Sequence, residues 1–242
     1  MRSDLRELCK EYIDIFSSQV RKEPARIPPM ELVVDETSWF TNRNRAPVRP
    51  QSTTKAAEIE KQVSKMLELG VIVPSTASAY SQAHLVPKTD PNTWRFCIDF
   101  VSLNASTPLV EAWPLRNIPE MLNHIGSFKP KYFGIMDLTA GYHQAPLSAK
   151  AMLYTAFICF MGLYMWCRVV IGLKGAASYF QRVLVTVVLS GLVHTTCECY
   201  IDDVCVWGQT GLELLTKLRA VFERFRKFNI ILSPKKCKFG QA

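Results

Sequence analysis

Cys197-Glu198-Cys199-Tyr200-Ile201-Asp202-Asp203-Val204-Cys205-Val206-Trp207 sets two strand-forming runs around an adjacent pair of carboxylates. The runs Cys197 to Ile201 and Val204 to Trp207, with a polar dipeptide between them, have the pattern of a hairpin. At a tight turn both Asp202 and Asp203 can face solvent instead of alternating into a core. That placement costs like-charge repulsion, which a divalent cation relieves. Mg²⁺ is typically held by one or two carboxylates together with substrate phosphates. A plain Asp-Asp turn without a ligand fits the dipeptide as well, so the pair alone leaves both readings open.

About 65 residues upstream, Met136-Asp137-Leu138-Thr139-Ala140-Gly141-Tyr142-His143-Gln144 supplies a further carboxylate. Tyr132 to Met136 reads as a strand and Thr139-Ala140-Gly141 as a break, so Asp137 falls at a strand end. Three carboxylates can hold two metals. In such a site one ion activates an attacking hydroxyl and the other stabilises the leaving oxygen, which is polymerase or nuclease chemistry.

The 242 residues, 48% hydrophobic and 21% charged, suit a folded chain of one large or two modest domains. A net charge of +8 favours a polyanionic partner, because basic patches gather phosphates by counterion release. The eight cysteines include no CxxC pair and no histidine at zinc-finger spacing, so they read as reduced thiols rather than as a disulfide framework or zinc site. The longest strongly apolar stretch, Val183 to Val193, is too short to span a bilayer, and no segment reads as a secretion signal.

Residues 21–51 are rich in Pro and Arg and suit an extended lead-in better than a packed element. Ser52, Thr53 and Thr54 offer N-caps to a helix carrying Ile59, Val63, Met66 and Leu67, closed by Gly70 before a strand over Val71 to Val73. Ala83 to Pro87 and Trp94 to Phe100 read as strands around a polar tip. Helices are expected over Ile118 to Ile125, Ala176 to Leu189 and Leu212 to Phe228, the last with Leu215, Leu218, Phe222 and Phe225 on one face.

Seven blocks in order carry a resemblance: Leu85-Val86-Pro87-Lys88, Trp94 to Phe100, Leu103-Asn104, Met136 to Gln144, Gly172-Leu173-Lys174, Tyr200-Ile201-Asp202-Asp203 and Lys235-Lys236-Cys237-Lys238-Phe239. The sequence resembles a reverse transcriptase of the Ty3/gypsy long-terminal-repeat retrotransposon type over nearly its whole length. The resemblance implies an α+β fold: the fingers and palm of a right-hand polymerase, with an antiparallel palm sheet packed on helices and the thumb absent. It implies a lead-in with an N-terminal helix over 1–51, fingers over 52–108 and 145–172, and palm over 109–144 and 173–242.

It further implies RNA-directed DNA polymerase activity with two Mg²⁺ ions, Mn²⁺ being a substitute. Asp137 and Asp202 are then the principal metal ligands and Asp203 the more peripheral one. Lys88 and Arg95 match residues that close on the incoming triphosphate, with a solvated hairpin tip as the alternative reading. Tyr142 matches the aromatic that screens the sugar 2′ position, which implies deoxynucleotides (dNTPs), and Ile171 falls in the same nucleotide pocket. Lys236 matches the position proposed to protonate the leaving pyrophosphate, although a lysine run also reads as a solvated face. Asp99 and Asn104 lie where the fingers approach the template, or are structural caps.

Partners implied are an RNA or DNA template-primer, dNTPs and further polyprotein segments (thumb, RNase H, integrase, protease), with no membrane. The setting implied is intracellular: a cytoplasmic virus-like particle, with nuclear access open. Cys167-Arg168-Val169-Val170-Ile171 departs from the Met-Pro-Phe-Gly turn usual before Gly172. Ala177 stands for a usual proline and Val101 for a polar residue. With these departures, and without a thumb, the expectation is weak or distributive synthesis. A non-catalytic nucleic-acid-binding remnant is the competing reading, and an RNA-dependent RNA polymerase is disfavoured by Tyr142.

Overall fold

The computed structural model describes residues 1–87, 89, 93–108 and 113–241, apart from the Asn42 side chain. In chain order the helices are α1 (Arg2–Glu11), α2 (Glu36–Trp39), α3 (Thr53–Glu68), α4 (Val101–Ala105), α5 (Ile118–Ser127), α6 (Gly141–Gln144), α7 (Ala149–Tyr154), α8 (Ala176–Val183) and α9 (Gly211–Lys227). The strands are β1 (Ile72–Pro74), β2 (Ser81–Pro87), β3 (Trp94–Ile98), β4 (Tyr132–Asp137), β5 (Phe157–Cys159), β6 (Gly162–Trp166), β7 (Cys197–Tyr200), β8 (Asp203–Gly208) and β9 (Lys238–Gln241).

These strands form two sheets. One has the order β1-β6-β5-β2-β3, antiparallel except for the β2–β5 pair. The other, β7-β8-β4-β9, is antiparallel throughout. The chain visits them alternately, so residues near 72–98 and 157–166 meet in the first sheet, while 132–137, 197–208 and 238–241 meet in the second. A continuous apolar core joins both, with Ile59, Phe157 and Trp166 at one end and Phe180, Val206 and Phe222 at the other. Each fully buried side chain of this size contributes roughly 1.5–3 kcal/mol, which is what holds two short sheets together.

Local chemistry sets the element ends. The Ser52 hydroxyl accepts from Lys55 N and starts α3, and Gly70, at φ +63°, ends it in the left-handed region. Thr210 caps α9, which buries Leu214, Leu218, Val221, Phe222 and Phe225. The expected stripe is therefore rotated toward Leu214 and Val221, with Leu215 only partly buried. A Phe- and Val-rich amphipathic pattern tolerates that rotation.

The lead-in departs from its expectation. It is extended for much of its length, yet it is packed: Ala25, Ile27, Met30, Leu32 and Trp39 are buried. Its backbone is bonded to distant elements, with Ala25 N donating to Gln144 O, Arg26 N to Phe228 O and Met30 N to Pro146 O, all at 2.8–2.9 Å. The prolines signal extension correctly. The apolar residues between them pack that extended chain onto the core. The helix expected over Ala176 to Leu189 stops at Val183, and a wider π turn follows over Leu184–Val188, where the β-branched run crowds a regular helix. The β5–β6 hairpin, α4, α7 and β9 fall where no element was expected.

All eight cysteines are free thiols. Among the described residues no helix is long and apolar enough to cross a membrane.

Candidate active site

The β7–β8 turn consists of Ile201 and Asp202 alone, with Tyr200 paired to Asp203. A two-residue hairpin loop needs positive φ at its first position, and Ile201 adopts φ +56°, a conformation a β-branched residue takes only under constraint. Gln181, buried on α8, supplies the constraint: its amide oxygen accepts from Ile201 N, and its Nε2 donates to Cys199 O at 3.0 Å. The strained turn is thus clamped from the helix beneath it.

Asp137 reaches the same turn from β4, where it is the register partner of Asp203, and Leu138 N donates to Asp202 O at 3.2 Å. After Asp137 the chain turns through Ala140, at φ +45°, into α6. Gly141 allows that helix to sit close: a Cβ there would fall 3.0 Å from Asp202 Cβ and 3.4 Å from a Phe180 ring carbon. Tyr142 packs against Phe180 with ring centroids 5.4 Å apart and planes tilted by 57°. Burial, and then the negative charge of Asp202, raise its phenol above the ordinary value.

The third wall is the turn Ser233–Cys237. Ser233 N donates to Asp137 O at 2.9 Å, and this turn projects Lys236, whose Nζ donates to Asp137 Oδ2 at 3.0 Å. That bond, with the surrounding carboxylates, raises the Lys236 ammonium pKa. Asp137 Oδ1 is buried and has no hydrogen-bond partner. Desolvation, then Asp202 and Asp137, raise the Asp203 carboxyl, and Lys236 opposes this.

The sequence-predicted residues fall into four groups. Asp137, Asp202, Asp203, Lys236 and Tyr142 converge at this rim. Arg95 and Ile171 line a neighbouring cleft of about 600 Å³, together with Thr139, Ala140 and His143. Burial, with the nearby Arg168 cation, lowers His143 there to about 4. Asp99 and Asn104 are engaged elsewhere. Asp99 caps Val101 N at 3.3 Å and pairs with Arg49 at 3.2 Å, while Asn104 donates to Gly172 O and accepts from Lys174 N, both at 2.8 Å. Asn104 therefore holds the turn that follows Ile171. Lys88 lies outside the described residues.

Gln181, Gly141 and Phe180 were missed by sequence reasoning, since each acts only through a contact between distant segments. A second cluster was missed too. Among the described residues the one group of three metal-ligand side chains with donor atoms all within 4.8 Å of one another is His124, His194 and Glu198, on α5 and at the foot of the β7–β8 hairpin. The aspartates form a more open rim.

A four-stranded antiparallel sheet presenting carboxylates at a hairpin turn and an adjacent strand end, joined to a five-stranded sheet that walls a cleft beside them, defines the fingers and palm of a right-hand polymerase. Foamy viral protease-reverse transcriptase, solved in complex with an RNA/DNA hybrid, has the same fold at TM-score 0.81 and 22% identity, over 98% of this chain and 31% of that one. Its complex with dsDNA matches at TM-score 0.80 and 21% identity, over 99% of this chain and 48% of that one. Residues 86–242 match the family described as reverse transcriptase (RNA-dependent DNA polymerase). The chain is 32% identical, over 98% of its length, to the retrovirus-related Pol polyprotein from transposon 412 of Drosophila melanogaster. It is 33% identical over 75% to that from transposon gypsy of the same organism. The chain belongs to the reverse transcriptase family, of the long-terminal-repeat retrotransposon type. It spans about a fifth of the length of these relatives, 19% and 18%. The family uses a divalent metal.

Proposed function

We propose that this chain is an RNA-directed DNA polymerase module that adds deoxynucleotides to a primer 3′-hydroxyl on an RNA or DNA template. The observation that carries this reading is Asp137: one buried oxygen without a partner, the other held by an ammonium, facing two further carboxylates across one turn. An arrangement that raises Asp203 by desolvation and then by like charge, and leaves Asp137 Oδ1 unpaired, is one that a bound cation would complete. Asp137 and Asp202 would hold Mg²⁺, or Mn²⁺ in its place, with Asp203 at the edge. When bound, the metal supplies the charge that lowers the hydroxyl pKa and stabilises the leaving oxygen.

In the reaction the primer 3′-oxygen loses its proton and bonds to the α-phosphorus, the bond to the β-phosphate bridging oxygen breaks, and pyrophosphate leaves. Lys236, an ammonium within reach of the rim, can protonate or neutralise that group once it leaves Asp137. Arg95 and Ile171 wall the cleft for the incoming dNTP, a role proposed also for Lys88. Tyr142 would exclude a 2′-hydroxyl by collision. The charge of +8 suits a template-primer. Thumb, RNase H, integrase and protease segments of a polyprotein, in a cytoplasmic virus-like particle, are the partners and setting that fit.

Primer extension on a homopolymer template, with Asp202→Asn as control, tests this. Mg²⁺-dependent incorporation that disappears in the variant is expected. Primer-template binding with no incorporation in either protein would replace the proposal with a non-catalytic nucleic-acid-binding remnant.

A further inference from the structure

His124, His194 and Glu198 form a donor cluster that the polymerase reading does not use. Glu198 pairs with Cys205 in register, two residues along the hairpin from the Tyr200–Asp203 pair, so by alternation its side chain shares the face of Asp203. It is 1% exposed, the one buried carboxylate among the described residues, and its Oε2 has no partner. Its Oε1 lies 2.9 Å from His194 Nδ1 and 3.7 Å from His124 Nε2. Around a tetrahedral Zn²⁺ with bonds near 2.0–2.1 Å, ligand atoms stand about 3.3 Å apart, and the two observed separations bracket that value.

A cationic nitrogen already occupies this space. Arg116 Nη1 sits 2.8 Å from Glu198 Oε1 and 2.9 Å from His194 Nδ1, bridging two of the three donors. His194 Nδ1 can accept from Arg116 in one tautomer or donate to Glu198 Oε1 in the other, and a metal takes the first, with its free lone pair. Arg116 is 37% exposed and can swing into solvent, which leaves two imidazoles, one carboxylate and an open side toward water.

We propose that His124, His194 and Glu198 form a binding site for a divalent transition-metal ion of the zinc class, separate from the aspartate rim, which ties α5 to the hairpin bearing Asp202 and Asp203. Imidazole donors select Zn²⁺, Co²⁺ or Ni²⁺ over Mg²⁺, which takes oxygen ligands. Binding has two costs. Arg116 must be displaced, and His124 must give up the 2.9 Å bond its Nε2 makes to the His194 carbonyl.

The test is titration of metal-free protein with Co²⁺ in excess Mg²⁺, read by its visible absorption and by Zn²⁺ displacement. One equivalent of tetrahedral or five-coordinate Co²⁺ is expected, bound equally by wild type, Asp202→Asn and Cys205→Ser. His194→Ala and His124→Gln should each weaken binding by at least about 100-fold. Both side chains also contact the foot of the hairpin, so each variant's melting temperature in EDTA is the baseline against which its lost Zn²⁺ stabilisation is read. Arg116→Ala should tighten binding by removing the competing cation, and Zn²⁺ should raise its melting temperature most. Unchanged affinity in either histidine variant, loss of binding in Asp202→Asn or Cys205→Ser, or no Co²⁺ uptake at all would overturn the site. Because Asp202→Asn retains this site but not incorporation, failure here and failure of the polymerase reading are distinguishable.

Discussion

The two ends of the β7–β8 hairpin solve opposite electrostatic problems on one face of one sheet. At the turn, Asp137, Asp202 and Asp203 have a single cation among the described residues, Lys236. At the foot, one carboxylate, Glu198, has a guanidinium and two imidazoles around it. The turn carries surplus negative charge, whereas at the foot one negative charge faces a guanidinium at 2.8 Å. Negative charge held without full compensation is costly and persists where a ligand completes it, whereas a buried carboxylate paired with a guanidinium and flanked by imidazoles contributes to holding elements together. The turn is therefore the end expected to act on a substrate, and the foot the end expected to fix α5 in place.

The largest effect that could break this contrast is at the turn. Asp202→Asn should lower incorporation by at least about 1,000-fold, since a principal ligand of the charge-stabilising metal is lost, while the melting temperature of the metal-free protein holds or rises. At the foot the signs reverse. Arg116→Ala should destabilise the metal-free protein by about 2 kcal/mol, toward the low side for a broken buried pair because Arg116 is itself partly exposed, with a much smaller change in incorporation. Chemical denaturation and single-nucleotide incorporation, measured on both variants, decide it. A foot variant that loses activity while keeping stability would sink the distinction.

A smaller effect sharpens it. Gln181 joins the hairpin to α8 through Ile201 N and Cys199 O. Gln181→Ala leaves both groups unpaired in a buried setting, so about 1–2 kcal/mol of stability should go. The Ile201 turn, freed from its clamp, should relax from positive φ. Incorporation should fall at saturating nucleotide, with little change in the apparent nucleotide KM, because the aspartate is displaced while the cleft wall is untouched. A rise in KM alone would assign Gln181 to the pocket instead.

This division of roles was only partly legible in the sequence. The hairpin and its carboxylates were readable because strand-forming runs, a polar turn and charge sit within a dozen consecutive residues. Asp137 was readable as a strand end for the same reason. The lead-in misled because proline content reports backbone extension and says nothing of whether Ile27, Met30 and Leu32 find a surface, which depends on Pro146 and Phe228 being folded nearby. Asn104 shows the limit differently. Its two amide bonds to Gly172 and Lys174 span about 70 residues, and no local pattern distinguishes such a clip from a template contact. The His124–His194–Glu198 cluster was hidden likewise, with two histidines 70 residues apart brought together only by the packing of α5 against the sheet.

The smallest effect is the one that tests the charge surplus itself. Asp203 has its carboxyl raised above 3.8, by desolvation first and by Asp202 and Asp137 next. A carboxyl raised in the fold binds its proton more tightly there than in the unfolded chain. Its favourable contribution is complete below pH 3.8 and is lost as pH rises through the higher folded value, so at neutral pH the ionised Asp203 works against folding. Asp203→Asn should therefore melt higher than wild type at pH 7 in EDTA, by only about 2 °C because the group is exposed and screened. The gain should shrink toward zero as pH falls well below 3.8, where both proteins are neutral at this position. Added Mg²⁺ should shrink it, since a cation at the rim relieves the repulsion on the ionised Asp203, which the variant does not have. A variant that melts lower than wild type in EDTA at pH 7 would mean that Lys236 already balances the rim, and the contrast between the two ends of the hairpin would lose its physical basis.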